Sequence, residues 1–237
     1  MLSKKWQFVV MVALMLLVVG APSVHADLYW ETEQVTQGVQ GQPPGPTIMK
    51  HYYTSKASRT DLGDGKIMIT DFDTRTVYQV DPATKTYGVM NLDEMGGAKE
   101  MEGMSAEDRK MMEAMMGSMK ISPTNETKTI NGYKCRKYLM NFMMTSGEYW
   151  VSKDVKGLDE LKSIAEKTRT LYEGNPMLKQ MNMTAMMDQM DGFPVQTVTQ
   201  VMGGTITNTL VRIEQKSLSG DLFRVPSGYT QKAMNEF

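Results

Sequence analysis

Between residues 28 and 91 apolar and polar side chains alternate with a period of two. The stretch "LYWETEQVTQ" (28–37) sets Leu28, Trp30, Thr32 and Gln34 on one side, and Tyr29, Glu31, Glu33 and Val35 on the other. That is the pattern of a strand with two unlike faces. "GVQGQPPGPT" follows, a Gly/Pro loop that cannot be a central strand. "TIMKHYYTS", "ASRTDL", "KIMITDF", "TVYQVD" and "TYGVMN" then read as strands, separated by "GDG", "DTR" and "DPATK". The turn segments carry Gly where φ must be free and Pro where its fixed φ fits. Six short runs joined by turns predict an antiparallel meander.

The period then changes to that of a helix. In "MEGMSAEDRKMMEAMMGSMK" (101–120), seven methionines project within an arc of about 140° on a helical wheel, with Arg109, Lys110 and Glu113 outside it. Ser105 followed by Asp108 predicts a capped helix start, and Pro123 with "PTNET" predicts the end. A second β block follows, "ETKTINGYKCRKYLMNFMM" and "GEYWVSK", with Asn131-Gly132 as a hairpin turn. "GLDELKSIAEKTRTLY" (157–172) returns to helical spacing, with Leu158, Leu161, Ile164, Ala165, Leu171 and Tyr172 on one face. "EGNPM" breaks it. Asn175 and Pro176 then open a further helix over 177–190, whose apolar positions spread wider than one face. "GFPVQTVTQVMGGTITNTLVRIEQKS" reads as a hairpin turning at Gly203-Gly204. The block order predicts an α+β fold: one strongly curved antiparallel sheet with helices against one face.

The first 26 residues stand apart. Lys4 and Lys5, an apolar run over 7–20 and Val24-His25-Ala26 form a secretory signal peptide, cleaved after Ala26. The apolar run is shorter than the roughly 20 residues a transmembrane helix requires. Residues 27–237 are expected to form a single domain, and no later segment is apolar enough to span a membrane. Losing two lysines and no acid takes the formal net charge from −1 to −3. Mixed signs and a slight acidic excess argue against a nucleic-acid partner.

Chemistry-bearing residues are few. Cys135 is the one cysteine, so no internal disulfide can form, and it is expected to be buried. His51 is the one histidine after residue 26 and is expected to be an ordinary exposed side chain on a strand. No HExxH, CxxC, GxxxxGK[ST] or GxGxxG occurs. The acid pairs Asp71/Asp73 and Asp93/Glu94 are accounted for by turns and caps. The reading is a non-enzyme with no cofactor and no metal.

Three stretches, "TKTINGYKCRKYLM", "GEYWVSKD" and "LFRVPSGY", carry a resemblance through Ile130, Gly132, Tyr133, Cys135, Tyr138, Glu148, Trp150, Val151, Phe223, Val225, Pro226, Gly228 and Tyr229. They resemble a bacterial family of exported proteins described as a domain of unknown function. That family is similar to the outer-membrane lipoprotein carriers, the LolA/LolB-like group. The resemblance implies a half-barrel antiparallel sheet whose concave face is covered by helices, here Met-rich ones. In the carriers the cavity beneath holds lipoprotein acyl chains. It implies no catalytic residue.

Methionine load is where this chain departs from that group. Of its 25 methionines, 22 follow residue 26, and 13 of those fall in 101–119 and 177–190. Unbranched, polarizable side chains suit a lid that closes on itself when empty and repacks on ligands of varied shape. Met104, Met111, Met112, Met115, Met116, Met119, Met183, Met186, Met187 and Met190 are the expected hydrophobic lid. The leading expectation is a periplasmic or secreted protein that binds a hydrophobic ligand or lipoprotein. A second reading has an envelope protein partner docking in the same groove. A third has thioethers holding Cu(I), against which stands the near absence of His and Cys.

Overall fold

The structure is a computed structural model, and it describes residues 27–39, 45–94, 105–108, 110–111, 120–142, 145–173, 189–201 and 203–234. The expected signal peptide, residues 1–26, lies outside the described residues, as does nearly all of the two methionine-rich segments. In chain order the strands are β1 (Leu28–Gln37), β2 (Gly45–Tyr53), β3 (Ala57–Asp61), β4 (Ile67–Asp71), β5 (Thr76–Asp81), β6 (Thr86–Asn91), β7 (Lys120–Ile130), β8 (Tyr133–Phe142) and β9 (Thr145–Ser152). Helix α1 (Leu158–Glu173) follows, then β10 (Phe193–Val201), β11 (Gly204–Gln215) and β12 (Thr230–Lys232).

All twelve strands join one open, curved sheet in the order β12-β6-β5-β4-β3-β2-β1-β11-β10-β9-β8-β7. Every pairing is antiparallel except that of β12 with β6. The predicted six-strand meander is β1–β6, and the Asn131-Gly132 turn lies where the sequence places it; the second hairpin turns one residue earlier than expected, because Gly204 is already the first residue of β11, paired with Val201. The register slips by one residue at Glu31/Thr32 and at Pro194/Gln196, as in a bulge, and is interrupted more widely between Pro123 and Thr127; bulges add local bend and twist.

One boundary differs from expectation. Pro123 does not end a helix. It lies inside β7, which begins at Lys120. β7 is an edge strand, where a residue without an N–H costs no ladder bond. The helix start does match: at the head of helical residues 106–108, Ser105 Oγ accepts from the Asp108 backbone N–H at 3.1 Å.

Two apolar clusters form. The larger gathers Leu28, Trp30, Cys135, Trp150, Val155, Ile164, Phe193, Val195 and Leu210, with Leu158 and Leu161 of α1 packed on it. Gly157 lets the chain enter α1 there: its φ is +84°, and a Cβ would stand 2.6 Å from Leu28 Cδ2. The smaller cluster is Ile121, Tyr138, Met140, Val151 and Met190, with Tyr149 beside it.

The C-terminal segment closes the meander. Asp27 accepts from the Lys216 N–H (3.0 Å) through its carbonyl and from the Leu218 N–H (2.9 Å) through its carboxylate. A 3-10 turn at Gly220–Phe223 then packs on β3 and β4, where Arg59 Nη1 donates to the Leu222 carbonyl at 3.1 Å. β12 finally pairs along β6 and covers that edge of the sheet.

Candidate ligand-facing surface of the sheet

Residues directly opposite one another on neighbouring strands share a face. The registers therefore trace rows across the sheet. One runs Thr36–Ile206–Thr199–Gly147–Met140–Ile121. The next runs Thr47–Gln34–Asn208–Thr197–Tyr149–Tyr138. A third runs Thr60–His51–Trp30–Ile213. All three lie on one face, because 30, 34 and 36 alternate on β1. Across β1, β2, β3, β10 and β11 the registers place no Lys, Arg, Asp or Glu on that face among the described residues. The surface is hydroxyl, amide and imidazole at its centre. Toward β7–β9 it becomes apolar around Met140 and Ile121, and Arg136 lies on the same face of β8, opposite Val151 and over the Tyr138 ring at 5.9 Å.

His51 is set into this surface rather than exposed on a strand, which corrects the sequence expectation. Its Nε2 lies 3.1 Å from Thr32 Oγ1 and its Nδ1 3.3 Å from Thr60 Oγ1. The ring stacks on Trp30 with centroids 5.0 Å apart. Burial disfavours the imidazolium and pushes the pKa down to about 4, so His51 is neutral at neutral pH. Further along, Asn208 Nδ2 donates to Thr197 Oγ1 at 3.4 Å.

At the apolar end, Gly147 leaves a gap that its neighbours fill. The position of its missing Cβ is 3.4 Å from both Met140 Cε and Tyr149 Cε2. Burial raises the Tyr149 phenol pKa. Met190 packs here and is 6 % exposed. Of the other nine lid methionines only Met111 is described, and it is 60 % exposed. Met104, Met112, Met115, Met116, Met119, Met183, Met186 and Met187 lie outside the described residues.

The opposite face of the same strands is charged. Glu31 faces Lys50 on β2 and Arg212 on β11, and Lys50 faces Asp61 on β3. Arg212 Nη2 donates to Glu31 Oε1 at 2.9 Å and to the Tyr29 hydroxyl at 3.3 Å, and the Tyr29 hydroxyl donates to Glu31. Burial and the Glu31 carboxylate push the Tyr29 pKa up to about 12. The Tyr29 hydrogen bond holds the Glu31 carboxyl below its usual range. Lys216 Nζ sits 3.7 Å from the Tyr29 ring centroid, and Arg59 lies over Tyr52 at 5.7 Å.

Cys135 is buried and free, as expected. Asp71 accepts from the Thr74 N–H in a turn, and Asp93 pairs with Arg75 at 2.7 Å. Among the described residues no three His, Cys, Asp or Glu side chains come together in a metal-holding group, and no helix is long and apolar enough to cross a membrane. The sequence did not reveal the uncharged surface as a site. Its only trace there is that the even-numbered positions of 28–37 avoid charge, and the partners that complete it come from β10 and β11, some 170 residues away.

Residues 42–229 match the family model described as "Domain of unknown function (DUF4412)", and the chain belongs to that family. No curated protein matches it. Among solved structures it is similar to PNGF-II, at 12 % identity and a TM-score of 0.41, over 89 % of this chain. The chain spans only 32 % of the length of PNGF-II. It is also similar to a putative outer membrane lipoprotein-sorting protein domain from Vibrio parahaemolyticus, at 9 % identity and a TM-score of 0.35, covering 85 % of this chain and 91 % of that one. LprF from Mycobacterium bovis is similar at 8 % identity and a TM-score of 0.33, covering 87 % and 92 %.

Proposed function

We propose that this DUF4412 protein is an exported, non-catalytic, carrier-like protein of the bacterial envelope. It binds a hydrophobic ligand, a lipid or a lipoprotein acyl chain, on the uncharged face of its sheet. The observation that carries this reading is Met190. It is the last residue of the methionine-rich run 177–190, and it is buried against Ile121, Tyr138, Met140 and Val151. Met190 itself is thereby fixed to the apolar rows of the face. Methionine side chains repack at low cost and suit a surface that alternates between closing on itself and closing on a ligand. The signal peptide read from residues 1–26 supports a periplasmic site of action.

Binding of a fluorescent fatty-acyl probe tests the proposal, together with native mass spectrometry of the protein purified from its own envelope. A co-purifying lipid and saturable probe binding are expected. Met140→Lys, which sets a charge in the apolar row, is expected to weaken the probe by about tenfold or more while the circular dichroism spectrum is kept. Absence of both lipid and probe binding overturns the proposal.

A further inference from the structure

The two faces of the central strands differ in one respect that bears on the ligand's identity. On β1, β2, β3 and β11 one face carries Glu31, Glu33, Lys50, Arg59, Asp61, Arg212 and Glu214, and the other carries none of the four charged residue types. The uncharged face is not simply greasy. Its centre offers Thr32, Gln34, Thr197, Asn208 and neutral His51, all half-buried, as donors and acceptors without formal charge. An anionic head brought onto the centre of this surface would lose water and meet no cation among the described residues of β1, β2, β3, β10 and β11, which is costly; the Arg136 guanidinium lies away from it, over Tyr138 on β8. An ester carbonyl or a hydroxyl would find matching neutral partners at ordinary hydrogen-bond cost.

We infer that the ligand's head is an uncharged, hydrogen-bonding group, that of an acylglycerol-type ester. It is held by Thr32, Gln34, Asn208, Thr197 and His51, with its chain running toward Met140 and Met190. This rests on the proposed lipid-binding reading and adds the selection of the head. The rows supply the direction: from Gln34 through Asn208 and Thr197 they lead to Tyr149 and Tyr138, at the apolar cluster. Free fatty acids and anionic phospholipids share the chain but not the head, and they are the ligands this surface selects against.

The test holds the acyl chain constant and varies the head. Monopalmitoylglycerol, palmitate and palmitoyl lysophosphatidylglycerol compete at neutral pH with the fluorescent acyl probe on the full mature chain. The glycerol ester is expected to compete about tenfold more tightly than either anion. Thr32→Lys and Asn208→Lys, on separate strands of the same face, are expected to shift the preference toward palmitate. Equal affinity for ester and anion, or tighter binding of the anions by the unsubstituted protein, overturns this inference and leaves lipid binding standing. Failure of the probe and all three palmitoyl compounds to bind removes the lipid-binding reading itself. If either lysine variant fails to fold, the three-way comparison on the unsubstituted protein decides.

Discussion

The two apolar clusters are built on different principles. The larger sits where β1 and β11 each have a neighbour on both sides and α1 packs above. Leu28, Val195 and Leu210 are 0–1 % exposed there, and Trp30 stacks with Tyr53 as well as His51. The smaller lies on β7, β8 and β9, at the open edge of the sheet. Its members stay 4–9 % exposed, and two of the five are methionines. Branched and ring side chains with few rotamers fill the larger site, whose centre at Leu28, Val195 and Leu210 is closed off from solvent. Flexible ones take part in the site at the sheet's edge, Met140 from β8 and Met190 from the residues just before β10. On the proposed reading, the difference separates a cluster that holds the fold from one that repacks on a ligand.

The sharpest way to break that distinction is truncation. Leu210→Ala is expected to cost about 3–4 kcal/mol, the range for a leucine in a site that cannot collapse. Urea unfolding measures it, and a loss near 1 kcal/mol would remove the claim that this cluster holds the fold.

His51 marks where the deep cluster gives way to the polar centre, and its titration probes that border. The unfolded chain takes up its proton near 6.5, the folded protein only near 4. Between those values the unfolded state binds more protons, so stability falls as pH drops from 6.5 to 4 and this contribution is flat above 6.5. Allowing for partial exposure, the fall attributable to His51 is about 2 kcal/mol. His51→Gln should remove it, read as the difference between the two proteins' unfolding free energies across that range. Glu31 acts in the same direction at lower pH but is common to both proteins.

Methionine at the edge gives the smallest effect. Met190→Leu conserves volume and is expected to change stability by less than about 1 kcal/mol, while weakening the acyl probe through lost adaptability. A parallel loss of stability and binding would make the edge cluster an ordinary piece of core.

Much of the scaffold could be read from local pattern. The β1–β6 meander, the Asn131-Gly132 turn, the β10–β11 hairpin to within one residue and the α1 face follow from periodicity and turn chemistry, which act over a few residues. The extent of β7 did not follow. Pro123 argues against a strand unless the strand lies at an edge, and edge position belongs to the whole sheet. His51 was misplaced for a related reason: its setting is made by Trp30, Thr32 and Thr60, which come alongside only when β1, β2 and β3 pair. Cys135 was placed correctly, because the burial tendency of a free thiol needs no knowledge of its neighbours.

By itself, then, the sequence determined the elements, the two-faced character of each strand and the methionine load, because backbone period, turn residues and side-chain type are local properties. Only the tertiary structure decided that β11 and β10 lie beside β1 on the side away from β2. That pairing joins the uncharged halves of strands far apart in the chain into one continuous surface and delivers Met190 to its apolar end. Strand pairing depends on register between distant segments, and a period-two pattern specifies which face a residue shares but not which strand will lie next to it.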